Sequence, residues 1–250
     1  MPDALFEDPR LAALYDVVDD DRSDLDAYVA IARELGAHRV LDVGCGTGTF
    51  ALLLTREGLD VTGVDPARAS VDVARSKPRA ERVRWIVGDA TTLPSLTVDL
   101  ATMTGNVAQA IADPMTWTRT LEAVHDTLVP DGYLVFETRD PAFRGWEEWT
   151  RDRTYRVVEH EHLGQVETWV ELTEVALPLV SFRGVFVFRA SGEALRSDST
   201  LRFRERAEVE ADLESAGYVV EEIRDAPDRP RRELVFVARR SGAPELVERG

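Results

Sequence analysis

The stretch Val40-Leu41-Asp42-Val43-Gly44-Cys45-Gly46-Thr47-Gly48-Thr49-Phe50 constrains this chain more than any other. Apolar Val40, Leu41 and Val43 read as a short buried strand. Three glycines at every second position then strip the following turn of side chains, and Phe50 to Leu54 opens a helix. Strand, bare turn and helix start form a place where a flat ligand can lie against backbone. The next apolar segment, Leu59 to Val64, ends in Asp65. Asp65 stands 21 positions after Gly44, near the ~20 expected of an acid that accepts from a ribose diol.

A nicotinamide dinucleotide is the first ligand to weigh, and two residues oppose it. The dinucleotide fingerprint asks for Gly or Ala where this chain has Thr49. Asp42, just before the loop, would also repel a pyrophosphate. A ligand with a base, a ribose and a cationic amine but no phosphate suits Asp42 better, and S-adenosylmethionine is one. The segment resembles motif I of the class I methyltransferases, Asp-x-Gly-x-Gly-x-Gly followed by an acid after the next strand. The resemblance covers about 37–140 well and 200–240 loosely. It implies a doubly wound, mostly parallel, seven-stranded Rossmann-like α/β sheet, with Asp42, Gly44, Cys45, Gly46, Gly48, Asp65 and Pro66 around the cofactor.

The rest of the chain fits that frame. Leu11 to Val18 has helical spacing; its Tyr15 resembles the tyrosine that small-molecule methyltransferases set over the cofactor, though a surface helix is an equal reading. Ser23 to Asp26 reads as a capping box ahead of a helix ending at Gly36, and Pro66 suits the first turn of another. The third strand, Val83 to Val87, leads into Gly88-Asp89-Ala90. There the resemblance implies that Asp89 accepts from the adenine amine beside Ala90, while a turn cap is the plainer role. The fourth strand, Val98 to Met103, delivers Thr104, Gly105 and Asn106 to the ligand edge. Trp117 to Leu128 is an amphipathic helix, Val129 to Gly132 a turn and Tyr133 to Thr138 the fifth strand.

From Tyr155 to Phe203 the helical period gives way to alternation, which predicts three or four antiparallel strands. The domain reading is a core with a helical cap over 1–150, an inserted meander over 151–204, the last helix and hairpin over 205–240, and a frayed tail over 241–250. A homodimer would form through the meander.

A net charge of −16 without a basic patch disfavours nucleic acid as substrate. Cys45 is the only cysteine, leaving no disulfide or cysteine–zinc cluster, and no metal is expected at His160 and His162. The acidic start of the chain lacks a signal-peptide core and no run is long and apolar enough to span a membrane, so the expected location is the cytoplasm. The expected activity is metal-independent transfer of a methyl group to nitrogen or oxygen of a small molecule, with S-adenosylhomocysteine as product. The segments able to hold an acceptor offer Tyr15, Asn106, Arg139, Asp140, Trp146 and Trp149; the last two, three residues apart, read equally as one aromatic wall or as packing of the meander onto the core. A catalytically silent adenosylmethionine-binding protein and a nicotinamide oxidoreductase are the alternatives.

Overall fold

A computed structural model describes residues 2–241; the expected tail lies, beyond Ser241, outside the described residues. The first half runs α1 (Ala4–Glu7), α2 (Pro9–Val18), α3 (Leu25–Glu34), β1 (Arg39–Val43), α4 (Thr49–Arg56), β2 (Asp60–Asp65), α5 (Arg68–Ser76), β3 (Val83–Val87), β4 (Val98–Met103), α6 (Val107–Ala110), α7 (Pro114–Thr127) and β5 (Leu128–Arg139). The second runs α8 (Arg151–Thr154), β6 (Arg156–His160), β7 (Gly164–Ala176), β8 (Leu179–Phe188), β9 (Ala194–Arg202), α9 (Arg206–Ser215), β10 (Tyr218–Asp225) and β11 (Glu233–Arg240).

Seven strands form one sheet in the order β10-β11-β5-β4-β1-β2-β3, parallel except where β11 pairs with β5 and β10. The chain winds outward from β1 to β3, then returns to β4 on the other side of β1. That reversal opens a crevice at the carboxyl ends of β1 and β4, where open α/β sheets bind ligands. The strands are buried on both faces, as continuous apolar runs such as Val40-Leu41 and Val61 require. One face packs Leu41, Met103 and Phe136 under Trp117 and Leu121 of α7 and Leu213 of α9. The other packs Val40, Val61 and Val135 under Tyr28 and Ala32 of α3 and Phe50 of α4.

Strands β6 to β9 form a separate antiparallel sheet. Its Val166, Phe186 and Phe188 close on Leu11 and Leu14 of α2, so this sheet carries the N-terminal helices. The alternation seen in the sequence is the cause: Val166 and Thr168 are buried while Gln165 is exposed.

Three local expectations change. Ser23 makes no side-chain cap; α3 starts at Leu25 behind Asp24, whose backbone is already helical and whose carboxylate pairs with Arg22. Pro66 precedes rather than opens α5, because Asp65 accepts from the Ala67 N–H at 2.8 Å and holds the chain extended to Ala67. The fifth strand begins earlier than expected, at Leu128; four residues, Val129 to Gly132, loop out between the pairings Val98–Leu128 and Leu100–Tyr133.

Candidate active site

The loop after β1 is built from three glycines with positive φ, +71° at Gly44, +50° at Gly46 and +79° at Gly48. They serve different ends. A Cβ on Gly44 would lie 2.4 Å from Val107, and one on Gly48 would lie 2.4 Å from Trp85 and 2.8 Å from Ala74. Those two glycines let the loop pack against its own protein. A Cβ on Gly46 would meet nothing within 4 Å. It would project into a cavity of about 590 Å³, whose wall includes Gly44, Cys45, Gly46, Pro66, Ala90 and Gly105. The volume suits a nucleoside-sized ligand. Gly48 is not on that wall, and its close approach is to Trp85 and Ala74.

Five acids line the cavity, Asp3, Asp42, Asp65, Asp89 and Asp113, and the middle three stand at or just beyond strand ends. Asp65, at the end of β2, accepts from the Gly46 N–H at 2.9 Å through one oxygen and from the Ala67 N–H through the other. It therefore holds the glycine loop as well as facing the ligand space, and burial pushes its carboxyl up from the ordinary aspartate range. Asp42 is 1% exposed; Thr102 donates to its Oδ1 at 3.3 Å, and Oδ2 has no partner. Burial pushes Asp42 up to about 7, with Asp65 and Glu137 adding and Arg22 opposing. Asp89 accepts from the Thr91 N–H at 2.9 Å and the Thr91 hydroxyl at 2.6 Å through Oδ1, so one oxygen serves the turn cap. Cys45 is buried and its thiol is pushed up, which keeps it protonated and out of nucleophilic chemistry.

The N-terminal helices form a roof. Tyr15 lines the cavity with Phe6, their rings 5.7 Å apart, and burial pushes the Tyr15 hydroxyl up to about 12. Asp16, next in the chain, latches this roof to the loop. Its Oδ1 accepts from the Thr47 hydroxyl at 2.6 Å, its Oδ2 pairs with Lys77 Nζ at 2.6 Å, and Lys77 also donates to the Thr49 hydroxyl at 3.0 Å. Arg22 also reaches the cavity, where its charge opposes the upward shift of Asp42. Sequence reasoning passed over Phe6, Arg22 and the Asp16 latch, because nothing in their local pattern separates them from an ordinary amphipathic helix and turn.

Of the expected acceptor residues, only Tyr15 is on the cavity wall. Trp146 is 2% exposed and packs edge-on against Phe203 at 4.7 Å; Trp149 packs against Phe182 at 4.7 Å. The pair forms the seam between β5 and the second sheet rather than an aromatic wall, because the turn at 145–148 points both rings at β8 and Phe203. Asp140 caps its own turn by accepting from the Ala142 N–H. Arg139 donates to Gln109 and lies over Trp149. Asn106 is 4% exposed, between the wall residues Gly105 and Val107. It belongs to a buried polar cluster that the sequence left unnoticed: its N–H donates to Glu137 Oε1 at 2.6 Å and its amide donates to Glu233 at 3.1 Å. Glu137 sits within an apolar strand run, which hid it.

The chain resembles known proteins over this region and beyond. The methyltransferase domain family matches residues 12–176. Cypemycin N-terminal methyltransferase from Streptomyces sp is 31% identical over 146 residues, 57% of this chain and 60% of that protein. The chain spans about half the length of the curated relatives it matches. Among solved structures, an S-adenosylmethionine-dependent methyltransferase from Clostridium acetobutylicum superposes with a TM-score of 0.76 at 17% identity, covering 93% of this chain and 98% of that one. An amino pentose methyltransferase from Micromonospora echinaspora, solved with its S-adenosylmethionine, gives 0.64 at 23% identity, covering 89% and 93%. With the family match taking in well over half of the sequence, and the sheet order and glycine loop agreeing with it, the chain belongs to the methyltransferase domain family, in its class I Rossmann-like branch.

Proposed function

We propose that this protein transfers a methyl group from S-adenosylmethionine to nitrogen or oxygen of a small molecule. The observation that carries the reading is one cavity where bare backbone at Gly46 stands beside two buried acids, one of them with a free oxygen. The residues fit the cofactor. Asp65 has lone pairs left for ribose hydroxyls beyond its two backbone bonds. Asp42 Oδ2 lacks a donor, which an amino-acid ammonium supplies, and Arg22, which also pairs with Asp24, is the cationic side chain on the wall for the matching carboxylate. When bound, S-adenosylmethionine supplies a methyl group already activated on a sulfonium. The chain's own residues then hold the acceptor in line and exclude water, and the Tyr15–Phe6 roof serves the second task. Two similar proteins are by name an N-terminal methyltransferase and an amino pentose methyltransferase, which supports an acceptor carrying an amino group. Incubating the protein with methyl-labelled cofactor and fractionated metabolites tests the reading: label should move to a small molecule as S-adenosylhomocysteine forms. Binding without turnover on any fraction would favour the silent binding protein.

The choice of cofactor rests on charge. Calorimetry is expected to show adenosylmethionine binding and no NAD binding up to the millimolar range, about −4 kcal/mol. Asp42→Asn should weaken adenosylmethionine by about tenfold, through loss of a charge-assisted bond of roughly 1.5–3 kcal/mol, without creating an NAD site. NAD binding tighter than adenosylmethionine would overturn the assignment.

The latch predicts a kinetic effect. Asp16→Ala removes two hydroxyl contacts and the Lys77 pair that tie α2 to the glycine loop. The loss of about 1 kcal/mol should speed S-adenosylhomocysteine dissociation roughly fivefold in stopped flow. An unchanged rate would mean that α2 does not gate the cavity.

A further inference from the structure

Four buried side-chain polar atoms have no partner among the described residues: Asp42 Oδ2, Asn106 Oδ1, Glu137 Oε2 and Arg202 Nε. The three oxygens come from the carboxyl ends of three consecutive strands in the sheet. Asp42 is the penultimate residue of β1, Asn106 follows β4 and Glu137 lies near the end of β5, with β4 between the other two strands. Asp42 and Glu137 also share a sheet face, two residues beyond Val40 and Val135 of the cluster under Tyr28. Glu137 raises the Asp42 carboxyl, so the two sense each other's charge.

The surrounding cations are already engaged. Arg229 donates to Glu233 at 2.9 Å, and Arg139 lies 3.7 Å from the same oxygen. Asn106 gives Glu137 a backbone N–H, but no arginine or lysine among the described residues forms an ion pair with Glu137. The Tyr28 hydroxyl is the other donor near Glu137, so this carboxylate, 3% exposed, has neutral donors but no counter-ion, and its charge is costly unless something positive joins it. The residues on either side of Asn106 line the cavity, so this acceptor pair lies directly behind its wall.

We propose that Glu137 Oε2 and Asn106 Oδ1 receive the ammonium group of an amine acceptor and that Glu137 takes its proton. The proposal rests on the cofactor reading above and narrows nitrogen-or-oxygen to nitrogen. An ammonium brings the positive charge and the donors that the two oxygens lack. In the transfer the N–H bond breaks, its electron pair stays on nitrogen as the lone pair that attacks, and the proton forms an O–H bond with Oε2. Glu137 is faced by Tyr28 from α3, Asn106 after β4, Asp42 from β1, Arg139 from β5 and Glu233 from β11. Burial pushes it up to about 7, with Glu233 adding, against the hydrogen bonds from the Asn106 N–H and the Tyr28 hydroxyl and the charge of Arg139.

Sinefungin tests this without a known acceptor. It is an adenosylmethionine analogue with an amine-bearing carbon in place of the methylated sulfur. Titration calorimetry should show wild-type protein binding sinefungin at least about tenfold tighter than S-adenosylhomocysteine. Glu137→Gln keeps the carbonyl that accepts from Asn106, and should cut that preference to under about threefold with S-adenosylhomocysteine affinity unchanged. That unchanged affinity also reports a folded protein. If Glu137→Gln does not fold, Asn106→Gly makes the same comparison, since glycine accepts the φ of +62° at that position. A wild-type preference that survives in the variant overturns the proposal, as does the absence of any preference in wild type. No S-adenosylhomocysteine binding in wild type would instead remove the cofactor reading, and this proposal with it.

Discussion

Gly46→Val is expected to abolish S-adenosylhomocysteine binding while the protein stays folded. Gly46 sits at φ +50° and a Cβ there would meet nothing of the protein within 4 Å. The substitution thus carries only the left-handed backbone cost, roughly 1–2 kcal/mol for a non-glycine residue and more for a β-branched one. That is a modest share of the stability of a domain of this size. The side chain would occupy the space where the nucleoside must lie, and its strain would pull on the Gly46 N–H that Asp65 holds at 2.9 Å. The neighbouring glycines supply the contrast. Gly48→Val would drive a side chain into Trp85 and Ala74, and Gly44→Val would drive one into Val107. Both should lower the melting temperature far more than Gly46→Val does. Calorimetry with S-adenosylhomocysteine and thermal melts of the three variants check the pattern. A folded Gly46→Val protein with wild-type affinity would mean that the cavity beside this loop is not the cofactor site.

What could be read from sequence depended on whether a residue's role is set by its neighbours in the chain. The strand–glycine–helix segment and Asp65 were legible because the sheet forces them together: β1 and β2 pair from Arg39–Asp60 to Val43–Val64, which brings Asp65 level with the loop. The second sheet was legible from alternation between Tyr155 and Phe203. Trp146 and Trp149 left two readings open, an aromatic wall or packing of the meander onto the core; the second holds, and the sequence could not choose because their partners Phe182 and Phe203 lie far along the chain. Arg22 and Glu137 were invisible for the same reason. Each looks ordinary beside its neighbours, and only tertiary packing sets Arg22 at the cavity and Glu137 beside Asn106 and Asp42. The glycine loop is one local motif, whereas the polar cluster around Glu137 is assembled from β1, β5, β11, α3 and the turn after β4.

Asp65→Ala is expected to weaken S-adenosylhomocysteine binding more than tenfold, and the structure divides that loss into two parts. One is direct. Each hydrogen bond from a ribose hydroxyl to the carboxylate is worth roughly 1.5–3 kcal/mol. The other acts through the loop. Asp65 accepts from the Gly46 and Ala67 N–H groups, and alanine would leave both without their acceptor, at about 1–3 kcal/mol each where they remain buried. The variant should therefore melt earlier as well as bind worse. Asp65→Asn keeps one carbonyl oxygen, so it should retain one loop bond, lose the charge, and fall between wild type and alanine in both measurements. An S-adenosylhomocysteine analogue lacking both ribose hydroxyls separates the two parts. If Asp65 holds the diol, the direct share of the alanine penalty disappears with that analogue, and only the loop share remains. A penalty of the same size for both ligands would leave Asp65 as a loop clamp with no hold on the ribose. Unchanged affinity for S-adenosylhomocysteine in a folded Asp65→Ala protein would remove Asp65 from the site altogether.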